Sequence, residues 1–346
     1  MRAYEHGGDI YGNDEIRLDF SVNLNPFGMP QAVKAAIAEN VDSFAAYPDP
    51  FCRALVADIA RSERVPENRI LCGNGAADLI LRTCFALRPK LAAVFAPTFS
   101  EYARSVEQTG GRVVQIPLAR ENAFAVTEDA IKAIPDGTDL AFLCNPNNPN
   151  GTLVDPSIVE LLAGRCATTG AALLIDESFL PFTSGSSAIP LTQRDPNVMV
   201  LKSFTKLYAM AGVRLGYLVC GDEGRLESID QIAQDWSVSS VAQTAGIAAL
   251  SCEPGWSQNT RASVRTERAK LASRLASAGL RVYPSDANFL LIESDAPLYR
   301  RLKENGILVR DCSNYRGLDE RFIRIGLKTP DENEILLSAI REAMNA

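Results

Sequence analysis

The sequence predicts an α/β protein in which a large domain with a mostly parallel central sheet precedes a smaller α+β domain. From about residue 30 to residue 235, short β-rich runs alternate with helical patterns, and such alternation builds a parallel sheet covered on both faces. The last third of the chain places long helical patterns around a few short strands, which is typical of an α+β unit. We therefore expect an N-terminal arm at 1–30 that joins the small domain, a large domain at 31–240 and a small C-terminal domain at 241–346.

The central sheet is expected from six apolar runs, at 91–96, 112–117, 140–144, 172–175, 198–202 and 215–220. Between the third and fourth runs, Asp155 is a helix N-cap residue and Pro156 occupies the first helical position. Apolar residues then recur at i, i+3, i+4 and i+8 from Ile158, which indicates an amphipathic helix. Ligands of such sheets bind beyond the carboxyl ends of the strands, so we expect the chemistry at that edge.

The small domain is expected from a second set of patterns. A long polar helix covers roughly 259–278, short strands follow at 288–293, 307–310 and 322–327, and a closing helix carries apolar residues from Ile335 to Ala343. The first 30 residues show no helical period, which is consistent with an arm.

Composition excludes several classes of function. The net charge is −7 and no basic block occurs, so the chain offers no electrostatic footprint for nucleic acid or an anionic membrane. No apolar run approaches the roughly 18 residues of a membrane span, and the polar first residues lack a signal-peptide pattern, so we expect a cytoplasmic protein. A single histidine, His6, excludes a His-rich metal site and disfavours a Ser-His-Asp triad, so no metal is expected. The eight cysteines form no C-x-x-C pair and are expected to be buried thiols.

A polar segment follows the strand at 198–202. It contains Ser203, Thr205 and Lys206, and Arg214 comes eight residues after the lysine. Hydroxyls and a guanidinium bind phosphate, while a partly buried lysine has a lowered pKa and can form a Schiff base with a carbonyl. The alternative is an ordinary solvated lysine.

Two further strand ends carry polar residues. The apolar strand at 172–175 leads to Asp176, which can pair with a cationic ring nitrogen or serve as a helix cap. The turn-rich loop at 145–151 contains Asn148, whose amide can donate to a ligand oxygen or simply support a tight turn.

A glycine-rich run opens a helix at Ala76 and Ala77, and backbone N–H groups at a helix start can cradle a phosphate. The run fails the dinucleotide fingerprint G-x-G-x-x-G because Asp78 occupies its last position, so a nicotinamide cofactor is disfavoured. Phe99 follows the strand at 91–96 and places an aromatic ring at a strand end, where a core aromatic is the alternative.

The order of these segments resembles one superfamily. A glycine-rich helix start, a strand-end aromatic, an Asn loop, a strand-end Asp, Ser-x-Thr-Lys and then Arg is similar to the aspartate-aminotransferase superfamily of pyridoxal-phosphate (PLP) enzymes, fold type I. The similarity extends from about Leu18 to the C-terminus. It implies a three-layer α/β/α fold, PLP as the cofactor and a homodimer with shared active sites.

The resemblance implies cofactor roles for the matching positions. Lys206 resembles the lysine that bonds to PLP, Asp176 the partner of its ring nitrogen and Asn148 the donor to its ring oxygen O3′. Phe99 resembles the ring-stacking residue, and Tyr47 the tyrosine that reaches the neighbouring subunit's cofactor phosphate. The implied phosphate cup consists of the Ala76 and Ala77 amides, Ser203, Thr205 and Arg214.

The resemblance also implies substrate contacts. Arg324 resembles the arginine that binds the substrate α-carboxylate, and Asn25 belongs to a segment similar to the arm that closes over the substrate. His6 and Arg310 are further expected donors to a small phosphorylated amino acid or amino alcohol.

Within the superfamily, four segments resemble the threonine-phosphate decarboxylases. They are the run His6-Gly-Gly, Phe179 where aminotransferases typically have Tyr, the run that begins at Trp236, and the run that contains Asn314. Ser239 departs from that pattern, which has Asn there.

Two other functions are weighed against decarboxylation. The first is that of histidinol-phosphate aminotransferases, which transfer an amino group to 2-oxoglutarate with the same cofactor and fold. The second is a ligand-sensing module fused to a DNA-binding domain, which the absence of an added basic segment and the presence of Lys206 disfavour.

Overall fold

A seven-stranded sheet forms the centre of the protein in the computed structural model, which describes residues 6–11, 15–253 and 255–345. The strands of these residues are β1 (Leu18–Asp19), β2 (Ile70–Gly73), β3 (Leu91–Ala96), β4 (Arg112–Pro117), β5 (Leu140–Cys144), β6 (Ala172–Asp176), β7 (Val198–Ser203), β8 (Gly216–Cys220), β9 (Arg281–Val282), β10 (Phe289–Glu293), β11 (Ile307–Leu308), β12 (Arg310–Asp311) and β13 (Phe322–Gly326). The central sheet has the order β2-β8-β7-β6-β5-β3-β4. Its members from β4 to β7 pair in parallel, whereas β8 runs antiparallel to both of its neighbours. The predicted parallel sheet is therefore confirmed, and β2 is an edge strand that the sequence patterns do not predict.

Helices cover this sheet and surround the smaller ones. They are α1 (Gln31–Glu39), α2 (Arg53–Glu63), α3 (Ala76–Leu87), α4 (Glu101–Gln108), α5 (Glu128–Lys132), α6 (Pro156–Thr169), α7 (Ile189–Thr192), α8 (Phe204–Leu207), α9 (Glu223–Asp230), α10 (Ser240–Ser251), α11 (Gly255–Ser277), α12 (Leu298–Glu304) and α13 (Pro330–Asn345). None of the helices within the described residues is long and apolar enough to cross a membrane.

Burial on both faces of the central sheet follows from period-two packing of its strands. In β3, Ala93 and Phe95 join one apolar cluster, while Ala92 and Val94 join the cluster on the opposite face. Each large apolar side chain that is removed from water contributes about 1.5–3 kcal/mol, so the two layers of helices hold the sheet firmly. The sheet is therefore a rigid support for the loops at its edges.

Helix α6 shows how the local pattern and the packed structure compare. The carboxylate of Asp155 accepts a hydrogen bond from the Ser157 amide, which confirms the predicted cap. The buried face differs from the predicted stripe, because Leu161 is exposed while Val159 is buried. Of the eight cysteines, seven are buried free thiols as expected, and Cys252 is half-buried.

The small sheets correct one predicted strand. The single strand predicted at 307–310 consists of two short strands that serve different sheets, since β11 pairs with β1 in parallel and β12 pairs with β13. The antiparallel sheet has the order β12-β13-β10-β9. The arm thus joins the C-terminal part of the chain through β1, although residues 1–5 and 12–14 of the predicted arm lie outside the described residues. The domain limits at residues 30 and 240 stay a prediction.

Candidate active site

The carboxyl ends of the parallel strands bring the predicted polar residues to one edge. Asp176 ends β6, where it lies opposite Cys144 of β5 and Leu201 of β7. The loop with Asn148 follows β5, and α8 with Lys206 follows β7 directly. Strand register alone therefore places the aspartate between the loop and the lysine.

Lys206 lies in α8, a short helix that begins after Ser203. The Ser203 hydroxyl caps this helix by accepting the Thr205 amide at 3.2 Å, and it also lies 2.6 Å from the Thr205 hydroxyl. Burial lowers the pKa of Lys206 to about 8, helped by the Arg324 and Arg214 guanidinium groups and opposed by Asp176. Its Nζ is 5.6 Å from the centre of the Phe179 ring. About a tenth of this amine is therefore uncharged at pH 7, far more than for a lysine with the ordinary pKa of 10.5, and the uncharged form is the nucleophile.

Asp176 is a buried carboxylate with two donors. The Ser178 amide donates to Oδ1 at 2.9 Å, and the Tyr102 hydroxyl donates to Oδ2 at 2.7 Å. Such donors stabilise an ionised carboxylate away from water. Tyr102 is not among the predicted site residues, and its spacing of three from Phe99 at a helix start is the only sequence signal that points to it.

Asn148 is oriented by its neighbours. The Arg324 guanidinium donates through Nη1 to Asn148 Oδ1, and the Tyr315 hydroxyl lies 3.5 Å from the same oxygen. Because a guanidinium can only donate, the atom facing it must be the amide oxygen. The NH₂ group of Asn148 therefore points away from Arg324 and is available as a donor.

Two buried arginines lie side by side on the neighbouring strands β12 and β13. Arg310 and Arg324 are direct partners in the antiparallel pair β12–β13, so their side chains emerge on the same face. Arg324 Nη2 donates to the Ser21 carbonyl at 2.9 Å, and Arg310 Nη2 donates to Asn314 Oδ1 at 2.8 Å. Burial lowers the pKa of Arg324, and Arg310 adds to this as a like charge. This pair is a concentrated positive charge suited to anionic ligand groups.

At the start of α3, glycines allow the Arg214 side chain and a neighbouring strand to lie close to the helix backbone. Gly75 has φ +86°, and a Cβ there would lie 2.5 Å from Arg214 Nη2. A Cβ on Gly216 would lie 3.0 Å from the Ala76 nitrogen. Because the N-cap residue Gly75 has no side chain, the amides of Ala76 and Ala77 have no side-chain cap, and the Arg214 guanidinium lies beside Gly75. Uncapped amides at the start of a 12-residue helix next to a guanidinium form a site for a phosphate.

His6 and Phe99 lie together at the arm. The two ring centres are 5.8 Å apart, and His6 Nε2 is 2.9 Å from Glu101 Oε1. His6, Arg310 and Asn314 line one cavity, and Phe99, Asn314 and Tyr315 line its neighbour. The arm thus brings the histidine to the same cavity as one of the two arginines.

Asn25 and Tyr47 have other contacts in this chain. The Asn25 amide donates to the Leu207 carbonyl at 2.7 Å and to Thr260 Oγ1 at 3.3 Å, and its backbone N–H donates to the Lys206 carbonyl. Tyr47 is 80% exposed and stacks on Trp236, with 4.6 Å between ring centres. Asn25 therefore holds the segment that carries Lys206, and Tyr47 lies on the surface.

Comparison with known proteins places this chain in a family. Residues 15–340 match the aminotransferase class I and II family. The chain is 36% identical to a threonine-phosphate decarboxylase of Salmonella typhimurium, over 98% of this chain and 96% of that protein. It is 33% identical to a histidinol-phosphate aminotransferase of Desulfitobacterium hafniense, over 96% and 92% of the two chains. The crystal structure of a histidinol-phosphate aminotransferase from Clostridium acetobutylicum superposes with a TM-score of 0.88 at 27% identity, covering 95% of this chain and 99% of that one.

The chain belongs to the class I and II aminotransferase family, whose members are PLP-dependent enzymes with the aspartate-aminotransferase fold. The site fits that cofactor. The half-buried amine of Lys206 suits an aldehyde, the buried carboxylate of Asp176 suits a pyridinium, and the uncapped start of α3 with Arg214 suits a phosphate.

Proposed function

We propose that this enzyme is a PLP-dependent decarboxylase of a small phosphorylated amino acid of the O-phospho-threonine type. The net reaction removes the α-carboxylate as CO₂ and adds one proton to Cα, which leaves a phosphorylated amino alcohol. The observation that carries the proposal is the pair of buried arginines, Arg310 and Arg324, directly opposite each other on β12 and β13. Two adjacent guanidinium groups suit a substrate with two anionic groups, a carboxylate and a phosphate.

The proposal assigns cofactor roles to the residues at the strand ends. Lys206 bonds to PLP, Asp176 faces its ring nitrogen, and the Asn148 NH₂ donates to its O3′. Phe99 stacks on the ring, and the phosphate is held by the Ala76 and Ala77 amides with Ser203, Thr205 and Arg214. Bound PLP supplies a protonated ring that accepts the electron pair left on the substrate Cα.

Lys206 also supplies the proton that the reaction consumes. With a pKa of about 8, Nζ can hold a proton at neutral pH and release it without a large barrier. Once the substrate amine has taken its place on the cofactor, Nζ would be free to give a proton to Cα as the carboxylate leaves as CO₂, and it would regain one from solvent. The site needs no second acid for this step.

Substrate orientation decides which bond at Cα breaks. Arg324 binds the carboxylate, while Arg310 and His6 line one cavity and bind the phosphate. Since Arg324 is tied to Ser21 and Asn148, the carboxylate has one preferred position. Loss of C–H from the same Cα would instead give transamination, which is the activity named for the Desulfitobacterium relative.

A product assay tests this assignment. The holoenzyme is incubated with O-phospho-threonine and, separately, with histidinol phosphate plus 2-oxoglutarate, while CO₂ and glutamate are measured. We expect CO₂ from the phospho-amino acid at a higher rate than glutamate from the second mixture. We also expect His6→Ala to weaken binding of phosphorylated substrates more than of unphosphorylated ones. Glutamate without CO₂ would reassign the chain to transamination.

The proposal includes a homodimer and a cytoplasmic location. Exposed Tyr47 and Trp236 stack on each other and form an aromatic surface that a second copy would cover, and Tyr47 would then reach the partner's phosphate. The eight cysteines are all free thiols, which supports a reducing compartment.

A further inference from the structure

We propose that Tyr102 is a positioning residue that holds the Asp176 carboxylate ionised and aimed at the PLP ring nitrogen. The inference rests on the proposed role of Asp176 and extends it to a residue one contact further from the cofactor. It predicts that the Tyr102 hydroxyl determines whether the proton shared between Asp176 and the ring nitrogen lies on the nitrogen or on the carboxylate.

The Tyr102 hydroxyl faces the Asp176 carboxylate, and the Cys144 thiol lies beside the same phenol. The Tyr102 hydroxyl donates to Asp176 Oδ2 at 2.7 Å, while Oδ1 accepts the Ser178 amide. Tyr102 and Asp176 are 1% and 4% exposed, so water does not compete for this bond. Each carboxylate oxygen has a second acceptor direction, which leaves room for a ring N–H.

Packing fixes the Tyr102 ring. It stacks on Phe142, with centres 5.0 Å apart and planes at 15°, and it meets Phe99 edge-on at 5.6 Å and 84°. The start of α4 therefore carries both Phe99, the residue proposed to stack on the PLP ring, and Tyr102, the residue that contacts the proposed partner of the ring nitrogen.

The electrostatics give the direction of the effect. Burial raises the pKa of Tyr102 well above its usual value, and the Asp176 charge raises it further, so the phenol stays protonated and acts as a donor. A buried carboxylate that loses a donor binds a proton more readily. Removing the hydroxyl should therefore move the shared proton from the ring nitrogen toward Asp176.

The test uses Tyr102→Phe reconstituted with PLP that is ¹⁵N-labelled at the ring nitrogen. We expect the ¹⁵N resonance to move toward the unprotonated value and PLP affinity to fall, because a carboxylate that binds a proton more readily pairs less strongly with a ring N–H. The matched control is Tyr283→Phe, which removes a buried phenol that donates to Glu293 at 2.8 Å in the small sheet. In that variant both readouts should equal those of the wild type.

A second measurement does not depend on the folding of Tyr102→Phe. Biosynthetic replacement of all nine tyrosines by 3-fluorotyrosine makes each phenol, including that of Tyr102, a stronger donor. The ring-nitrogen resonance of the fluorinated holoenzyme should therefore move in the opposite direction, toward the protonated value. Fluorinated Tyr283→Phe and Tyr315→Phe proteins should show the same shift, because neither of those phenols donates to Asp176. Residue packing alone predicts no such pair of opposite shifts.

The outcomes separate this inference from the proposed function. A wild-type protein that binds PLP with a protonated ring nitrogen, combined with an unchanged resonance in Tyr102→Phe or in the fluorinated enzyme, overturns the role of Tyr102 alone. A wild-type protein whose bound PLP has an unprotonated nitrogen overturns the role of Asp176, and with it the proposed mechanism.

Discussion

Single residues at this site act through their protonation states. Burial disfavours the charged form of Lys206, the charges of Arg324 and Arg214 disfavour it further, and the charge of Asp176 favours it. Its pKa of about 8, compared with an ordinary value of 10.5, makes it more reactive at neutral pH than a solvated lysine. In the proposed site these two arginines, Arg214 and Arg324, would have two roles, because they would bind anionic groups and also lower the pKa of Lys206.

Capture of PLP by the apoprotein should therefore depend on pH. Below a pKa of about 8 the uncharged fraction of Lys206 rises about tenfold per pH unit, and above it the fraction levels off. The rate of capture, followed by stopped-flow absorbance, should show the same bend near pH 8. Borohydride reduction followed by peptide mass spectrometry should place the cofactor on Lys206, and Lys206→Ala should remain unlabelled. A bend near the ordinary lysine value of 10.5, or attachment to another lysine, would contradict this assignment.

Among the secondary-structure elements, the site depends on close contacts between segments that are distant in the sequence. Helix α3 begins without a side-chain cap, and Gly75 lets Arg214 approach it. The α8 turn is held by the arm through Asn25, although 182 positions separate Asn25 from Leu207.

Gly75→Ala should weaken PLP binding, because the new Cβ would lie 2.5 Å from Arg214 Nη2 and displace the guanidinium from the start of α3. We expect at least a roughly tenfold increase in the PLP dissociation constant, since a guanidinium–phosphate contact is lost. Gly137→Ala is the matched control, because Gly137 also has positive φ, +79°, but a Cβ there would meet open space. Both variants bear the backbone strain of a non-glycine residue. Equal PLP affinities in the two would contradict the proposed contact.

Asn25→Ala should destabilise the protein and loosen the turn that carries Lys206. It leaves the buried Leu207 carbonyl without its donor from the arm, which costs about 1–3 kcal/mol in the free energy of unfolding. Asn40→Ala is the control, since the Asn40 amide also donates to a backbone carbonyl, that of Ala36, but on the exposed surface. Urea denaturation of both variants gives the comparison. The prediction is wrong if the two lose the same stability.

For the molecule as a whole, the exposed aromatic surface at Tyr47 and Trp236 indicates an interface with a partner. Tyr47 is 80% exposed and Trp236 46%, and burying these two rings against another protein surface would be favourable. A second copy of the chain would cover this surface, and an obligate homodimer typically buries about 2,000 Å² or more. The proposed sharing of active sites makes that arrangement testable by activity.

Mixing two inactive variants should restore activity if the sites are shared. Tyr47→Phe lacks the group that reaches the partner's phosphate, and Lys206→Ala lacks the lysine of its own site. A heterodimer of the two forms one intact site from the Lys206 of one subunit and the Tyr47 of the other. The assay is activity after unfolding and refolding the mixture, with each variant refolded alone as the control. An active monomer in sedimentation velocity would exclude the dimer.

Much of the fold follows from local sequence patterns. The central strands and α6 can be predicted from hydrophobic period and capping, because these depend on neighbours within a few positions. The carboxyl ends of parallel strands meet at one edge of a sheet, so the order of strands along the chain is enough to group Asp176, Asn148 and Lys206.

Contacts between segments that are distant in the sequence decide which side chains of the site contact each other and which hydrogen bonds they form. The break between β11 and β12 puts Arg310 opposite Arg324, which a continuous strand at 307–310 does not predict. The Tyr102 hydroxyl donates a hydrogen bond to Asp176, which lies 74 positions later in the sequence, and the side-chain amide of Asn25 donates to the Leu207 carbonyl. Periodicity specifies which face of an element is buried, but the partner of a buried polar group depends on register and packing between distant segments. In this protein, local sequence therefore specifies the elements and the chemical groups they carry, whereas the pairing of charges, donors and acceptors arises only when the elements pack together.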